Sequence, residues 1–95
     1  MTYEWDPVKA AANVLKHGVS FAEAASVFLD PLALTFEDPD HAEIENREIT
    51  IGVSAKSRVL FVAHTARGDR IRLISSRKAT GHERKQYAKG IDTGD

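Results

Sequence analysis

Three guanidinium groups, Arg70, Arg72 and Arg77, fall within the run Arg70-Ile71-Arg72-Leu73-Ile74-Ser75-Ser76-Arg77. Read as a strand, this run alternates, which places Arg70, Arg72, Ile74 and Ser76 on one face and Ile71, Leu73, Ser75 and Arg77 on the other. Arginines on both faces cannot all be buried, so one face at least meets water, an acidic partner or phosphate, for which the planar guanidinium fork is suited. The same pattern also suits an edge strand protected from aggregation by its charges, and the spacing does not separate the two. His64 ends the most apolar segment of the chain, in register with Leu60 and Val62. An imidazole there has the titration range for proton transfer near neutral pH, although a hydrogen-bonded core histidine is the commoner outcome at such a position. Lys16 and His17 precede Gly18 at a helix end, where cations favour the macrodipole; alternatively they project over a sheet and neutralise a reacting phosphate.

The elements that must position these groups follow from periodicity and punctuation. Asp6-Pro7 is a helix start, Val8, Ala11, Ala12 and Leu15 recur on one apolar face, and Gly18 is the stop, giving a helix over residues 7–17. Ser20 and Glu23 have capping-box spacing, Phe21, Ala24, Ala25 and Phe28 repeat a helical face, and Asp30-Pro31 ends it. A short strand over 32–36 and an acidic exposed loop over 37–45 come next. Residues 48–54 alternate and should bury one face, whereas 58–65 is nearly continuous in Val, Leu and Phe and should be central. Arg67-Gly68-Asp69 is a glycine-centred hairpin turn, and a strand over 70–77 follows it. The same triplet matches an adhesion motif by its letters, a reading with no context in a cytoplasmic chain. Thr80 and Glu83 form a second capping box that opens a last helix, closed by Gly90. Its body is short of apolar residues, with Tyr87 the obvious anchor beside Ala88, so its polar face is free to serve a site or a partner. Trp5 reads as core or interface packing. With a short first strand, the order is β-α-α-β-β-β-β-α, an α+β domain built as a meander of antiparallel strands with helices packed on one side. One domain over residues 1–90 is expected, with 91–95 as a frayed tail.

The chain has 95 residues, 42% of them hydrophobic and 28% charged, which suits one folded domain with a modest core. It contains no cysteine, so neither a disulfide framework nor a thiolate metal site is available. His17, His41, His64 and His82 show no ligand spacing, and no glycine-rich phosphate loop, dinucleotide fingerprint or nucleophile elbow is present. Neither a metal nor a cofactor is therefore expected. No signal-peptide pattern opens the chain and no apolar run reaches the length of a membrane span, so a cytoplasmic location is expected. The net charge of −1 argues against a nucleic-acid binder, yet it conceals a split. Residues 1–45 carry two basic against nine acidic residues, and residues 46–95 carry eleven basic against five acidic. Such asymmetry suits two surfaces with different partners, and equally a solvated surface whose charges interleave on folding.

The residues also carry a resemblance. Glu4-Trp5-Asp6-Pro7 with Lys9, Asn13, Lys16-His17-Gly18-Val19, Phe21, Glu23-Ala24, Val27-Phe28 and Asp30-Pro31 resembles the opening signature of the BrnT toxin family. Arg47 before Ile51-Gly52, then Val62, Thr65, Arg67, the run from Arg70 to Ala79, Glu83 and Tyr87 continues it, so that residues 3 to 90 are covered. Ser76 and Leu73 stand where the family often has alanine and isoleucine. The resemblance implies a RelE-like fold and a ribonuclease that arrests translation by metal-independent attack of a ribose 2′-hydroxyl on the adjacent phosphorus. It also implies a BrnA-like antitoxin as partner, which would contact DNA on behalf of the pair. On that footing His64 and Glu83 are the expected proton-transfer groups, with Lys16 and Arg77 as catalytic cations. Arg47, Arg70, Arg72, His17 and Tyr87 are expected to hold, position or stack RNA. Lys16, His64, Arg70 and Arg77 should then converge on one pocket. The rival readings are a binding module that cuts nothing, and a decayed toxin kept as a regulatory partner.

Overall fold

The computed structural model describes residues 2–41 and 46–92, with side chains as far as residue 90. Strand β1 (Thr2–Glu4) leads into helix α1 (Pro7–His17) and helix α2 (Phe21–Ser26), which tightens into a 3-10 turn over Val27–Leu29. Strands β2 (Leu34–Glu37), β3 (Arg47–Val53), β4 (Val59–Arg67) and β5 (Arg70–Lys78) follow, and helix α3 (Gly81–Asp92) is last. Local chemistry sets the helix ends. The Asp6 carboxylate accepts from the Val8 amide at 2.8 Å, Pro7 occupies the first helical position, and Gly18 turns left-handed at φ 68° to end α1. Ser20 Oγ accepts from the Glu23 amide at 3.0 Å and so caps α2. Helix α3 runs past Gly90 to Asp92, so that glycine is not its stop. Its Cβ position is crowded by Leu34 instead, 2.8 Å away, and glycine lets helix and strand approach. The expected tail at 91–95 therefore begins inside the helix, and residues 93–95 lie outside the described residues, as do 42–45 of the expected acidic loop.

The sheet order is β1-β5-β4-β3-β2, with β4 central. The four later strands are antiparallel, but β1 pairs with β5 in parallel, so the sheet is not a pure meander. Because β1 occupies that side, β5 is an interior strand and its arginines are not edge protection. Helices cover both faces. One face carries α1, α2 and the 3-10 turn over a core of Val19, Phe21, Ala24, Val27, Leu60, Val62 and Leu73. The other carries α3, whose Tyr87 packs with Ile49, Ile51 and Ala63. The expectation of helices on a single side is corrected accordingly. Strand β3 buries Ile49, Thr50, Ile51 and Gly52 in succession and is closed on both faces, not one. At Gly52 an added Cβ would lie 3.0 Å from that of Ala33 and 3.3 Å from the Val27 carbonyl oxygen, so the 3-10 turn seats directly on the strand.

Helix α1 reverses its expected orientation. Asn13 is its buried residue: its amide group donates to the carbonyl oxygens of Val19 and Ser76, and its Oδ1 accepts from the Ser76 amide at 3.1 Å. Two of these bonds join α1 to β5 and the third ties it to the chain just beyond Gly18, and together they fix which side of the helix faces inward. The apolar stripe of Val8, Ala11, Ala12 and Leu15 consequently points to solvent.

Candidate functional site

Between β4 and β5 the register slips by one residue. Ala63 pairs with Ser75 but His64 pairs with Leu73, so Ile74 is the extra residue of a β-bulge. An extra residue reverses the alternation of everything before it. Arg70 and Arg72 therefore share a face with Arg77, through the cross-strand partners Arg67, Thr65 and Phe61. Alternation alone separates them, and that assignment is corrected here by the bulge. The shared face is the one that carries α3.

Helix α3 covers only the end of this face near Arg77. The Arg77 guanidinium makes a two-bond fork to Glu83, at 2.7 and 2.9 Å, and stacks over the Phe61 ring at 4.1 Å. Glu83 also accepts from the Thr80 amide at 2.9 Å, while Thr80 Oγ1 caps the helix in return. Arg77, through its fork, holds the Glu83 carboxyl below the usual carboxylate range. Both expected catalytic groups are thus committed to seating α3. Tyr87, expected to stack on a base, is buried, and its hydroxyl donates to Asp30 Oδ2 at 2.7 Å. Burial first, and then the Asp30 carboxylate, push its pKa up to about 12. Ala88, its expected companion in docking, is exposed.

Beyond α3 no helix covers the same face among the described residues, and it is arginine-rich around the buried Thr65. Glu4, Arg72, Thr65 and Arg47 form one cross-strand row on β1, β5, β4 and β3, and Arg70 pairs with Arg67 in the next row. Arg72 and Arg47 flank a single strand, about 10 Å apart by strand spacing. Glu4 accepts from Arg72 at 3.0 Å and Arg70 at 3.3 Å, and these bonds lower its pKa. One carboxylate thus serves two guanidiniums, and Arg67 is exposed as well. At the β3 end, Arg47 also lines a cavity of about 290 Å³ with Asn46 and with Glu37, Glu48 and Ala66, whose register places them on the opposite face. Its Nε is buried without a hydrogen bond, 3.8 Å from Asp38 Oδ2. Asp38 Oδ2 also holds His41 Nδ1 at 3.1 Å, so an imidazole and a guanidinium meet at one buried carboxylate. Burial raises the Asp38 pKa, but the Asp40 amide, His41 and Arg47 outweigh it and leave the net shift downward. His41 belonged by sequence to an exposed acidic loop; the only hint was its three-residue distance from Asp38.

His64 lies on the opposite face. Its Nε2 is 2.7 Å from Thr50 Oγ1, the Phe28 ring meets it edge-on at 4.9 Å, and 4% of the residue is exposed. Burial lowers its pKa to about 4, so it is neutral at pH 7. Lys16 and His17 end α1, on the same side of the sheet as His64. Lys16, His64, Arg70 and Arg77 therefore do not converge on one pocket; of the expected set, the structure brings together Arg47, Arg70 and Arg72. Glu23, read from the sequence as a capping-box residue, instead forms an ion pair with Arg58, which the sequence did not single out; the pair ties α2 to the β3–β4 turn, with Ser54 Oγ also donating to Glu23 at 2.7 Å. Among the described residues no group of three or more His, Asp or Glu side chains is arranged to hold a metal, and no helix is long and apolar enough to cross a membrane.

Comparison with known proteins agrees with this architecture. The crystal structure of the Brucella abortus ribonuclease toxin BrnT matches with a TM-score of 0.65 at 24% identity, over 84% of this chain and 99% of that one. At that identity the match speaks for the fold. Curated protein sequences give no match. The family model described as "Ribonuclease toxin, BrnT, of type II toxin-antitoxin system" matches residues 5–83, most of the chain. The chain therefore belongs to the BrnT family of ribonuclease toxins of type II toxin–antitoxin systems.

Proposed function

We propose that this toxin is a RelE-like, metal-independent endoribonuclease that arrests translation by cutting RNA, and that a BrnA-like antitoxin silences it in the cytoplasm and carries the DNA contacts of the pair. The observation that carries the proposal is the open half of the α3-bearing face, where Arg47, Arg67, Arg70 and Arg72 surround Thr65. Guanidinium forks match phosphate oxygens, and four of them on one side of a sheet form a track for a phosphodiester backbone.

In the proposed reaction the ribose 2′-oxygen bonds to phosphorus as the bond from phosphorus to the 5′-oxygen breaks. The 2′-proton goes to a base and the 5′-oxygen receives a proton, leaving a 2′,3′-cyclic phosphate and a 5′-hydroxyl. Charge accumulates on the nonbridging oxygens, and fixed guanidiniums stabilise it where water is partly excluded. Arg72 and Arg47, flanking one strand, grip the scissile phosphate, with Arg70 on its neighbour. His41, oriented by Asp38 beside Arg47, is the proton carrier, because a carboxylate on Nδ1 sets the ring of a side chain that is 44% exposed and leaves Nε2 for proton transfer. His64, Glu83, Arg77 and Tyr87 act through the fold instead, and Lys16 and His17 lie on the other side of the sheet from this face.

The test is incubation of purified protein with single-stranded RNA in chelator. Fragments ending in 2′,3′-cyclic phosphate support the proposal, whereas a shifted but intact RNA supports a binding module and overturns the enzyme reading.

A further inference from the structure

Helix α1 carries its apolar stripe on the wrong side for a core. Val8 is 77% exposed and Leu15 90%, with Ala11 and Ala12 exposed between them. At 100° per residue these four positions centre directly opposite Ala10, Asn13 and His17, the residues turned toward the sheet. Apolar side chains at i, i+3, i+4 and i+7 that face water, on a helix held in that orientation by three buried bonds of Asn13, have the form of a seam between chains. Lys9 and Lys16, seven residues apart, line one flank of the seam, and Val14 borders the other. The helix has no acidic residue.

We infer that the outward face of α1 is a docking surface for an amphipathic segment of the antitoxin, a helix with an apolar seam whose flank carries carboxylates opposite Lys9 and Lys16. This inference rests on the toxin reading for the identity of the partner and on the geometry of α1 for the surface. Charge selects the occupant. A second copy of this chain packed antiparallel would set Lys9 against the partner copy's Lys16, and α1 brings no carboxylate to relieve the repulsion. An acidic partner segment removes it.

The stripe spans two turns, about 10 Å, much less than the roughly 800 Å² per partner of a stable interface. The same partner must reach further. Trp5, 36% exposed, and Asp6 are the only link between β1 and α1, so the start of the helix lies at the sheet edge that β1 forms. A chain that continues over that edge arrives at Arg70 and Arg72 on the other face. Docking on α1 thus anchors a segment whose extension covers the phosphate-binding arginines and leaves them uncovered in its absence.

The experiment uses the full chain and, as probe, the purified product of the reading frame adjacent to its gene. The Kd of that pair is measured by calorimetry for the wild type, for Val8→Ala/Leu15→Ala and for Lys9→Glu, alongside cleavage of a single-stranded RNA and the self-association of the toxin in the ultracentrifuge. We expect the double variant to weaken the pair by about thirty-fold or more and Lys9→Glu by about ten-fold, with thermal melting unchanged because neither site is packed. An affinity within two-fold of wild type overturns the inference, as does a wild-type dimer that the double variant dissociates without loss of partner affinity. Absence of binding by the wild type overturns it as well. The toxin reading fails separately: a wild type that leaves RNA intact while the double variant still loses its partner refutes the enzyme and leaves the docking surface standing.

Discussion

Acidification below pH 6.5 should weaken this fold chiefly through His64. His64 has a pKa of about 4 in the folded state against 6.5 as its ordinary value. Folding therefore favours the neutral ring, so the stabilisation is complete above pH 6.5 and is lost as the pH falls toward 4. Two and a half units correspond to about 3 kcal/mol in full, and about 2 kcal/mol of it is gone at about pH 5. The carboxylates held low by their partners, Glu4, Glu23, Asp30, Asp38 and Glu83, contribute stability that is lost chiefly as the pH falls below their ordinary values of 4.5 for Glu and 3.8 for Asp. Urea unfolding at about pH 7.5 and about pH 5 should show the difference in the wild type. In His64→Gln, whose amide keeps a bond to Thr50 but does not titrate, the two midpoints should nearly coincide. Equal pH dependence in both proteins would mean that His64 is not desolvated as described. Loss of RNA cleavage in a stably folded His64→Gln would refute its assignment to the core.

Tyr87→Phe should lower stability by about 1 kcal/mol, since Asp30 keeps its bonds from the Val53 and Leu32 amides. RNA cleavage should persist in that variant, and a selective loss of RNA affinity would restore Tyr87 as a stacking group. Ser20→Ala removes the cap of α2 and should cost about 1 kcal/mol in urea unfolding. Deleting Ile74 removes the bulge but leaves Leu73 opposite His64 and Arg72 opposite Thr65, so the core and the arginine face are kept and a cooperative thermal transition should persist. Loss of that transition, with Arg70 and Arg72 turned inward, would show that Ile74 is not the extra residue. RNA binding should weaken steeply with salt, and the slope of log K against log salt should fall by about one on Arg70→Ala; an unchanged slope would remove Arg70 from the phosphate track.

Gly90 misled for the end of α3, whereas the two ends of α1 and the start of α2 were legible because caps act locally. Asp6-Pro7, Gly18 and Ser20 with Glu23 mark them through bonds within a few residues. The order of strands along the chain was also readable, since β3 and β4 are apolar runs and Gly68 turns between β4 and β5. Orientation was not. The stripe of Val8, Ala11, Ala12 and Leu15 has the period of a buried face, and only the bonds of Asn13 to Val19 and to Ser76, sixty-three positions away, turn it outward. Ile74 leaves no mark in the sequence as a bulge, yet it decides that Arg70, Arg72 and Arg77 share a face. His64 looked like a catalyst because its titration range is suitable, and tertiary burial removes that range. The parallel pairing of β1 with β5 and the placing of α3 on the second face likewise depend on contacts between distant segments, which periodicity does not encode.

Cleavage of one RNA by two variants weighs the account most directly. Purified Arg72→Ala and His64→Gln proteins, each checked for a native melt, are assayed on the same single-stranded RNA for products ending in 2′,3′-cyclic phosphate. The arginine face predicts that Arg72→Ala loses cleavage by about a hundred-fold, in the range for one charge-stabilising donor, while His64→Gln cuts at close to the wild-type rate. The reverse pattern would contradict the account and move the chemistry to the other side of the sheet.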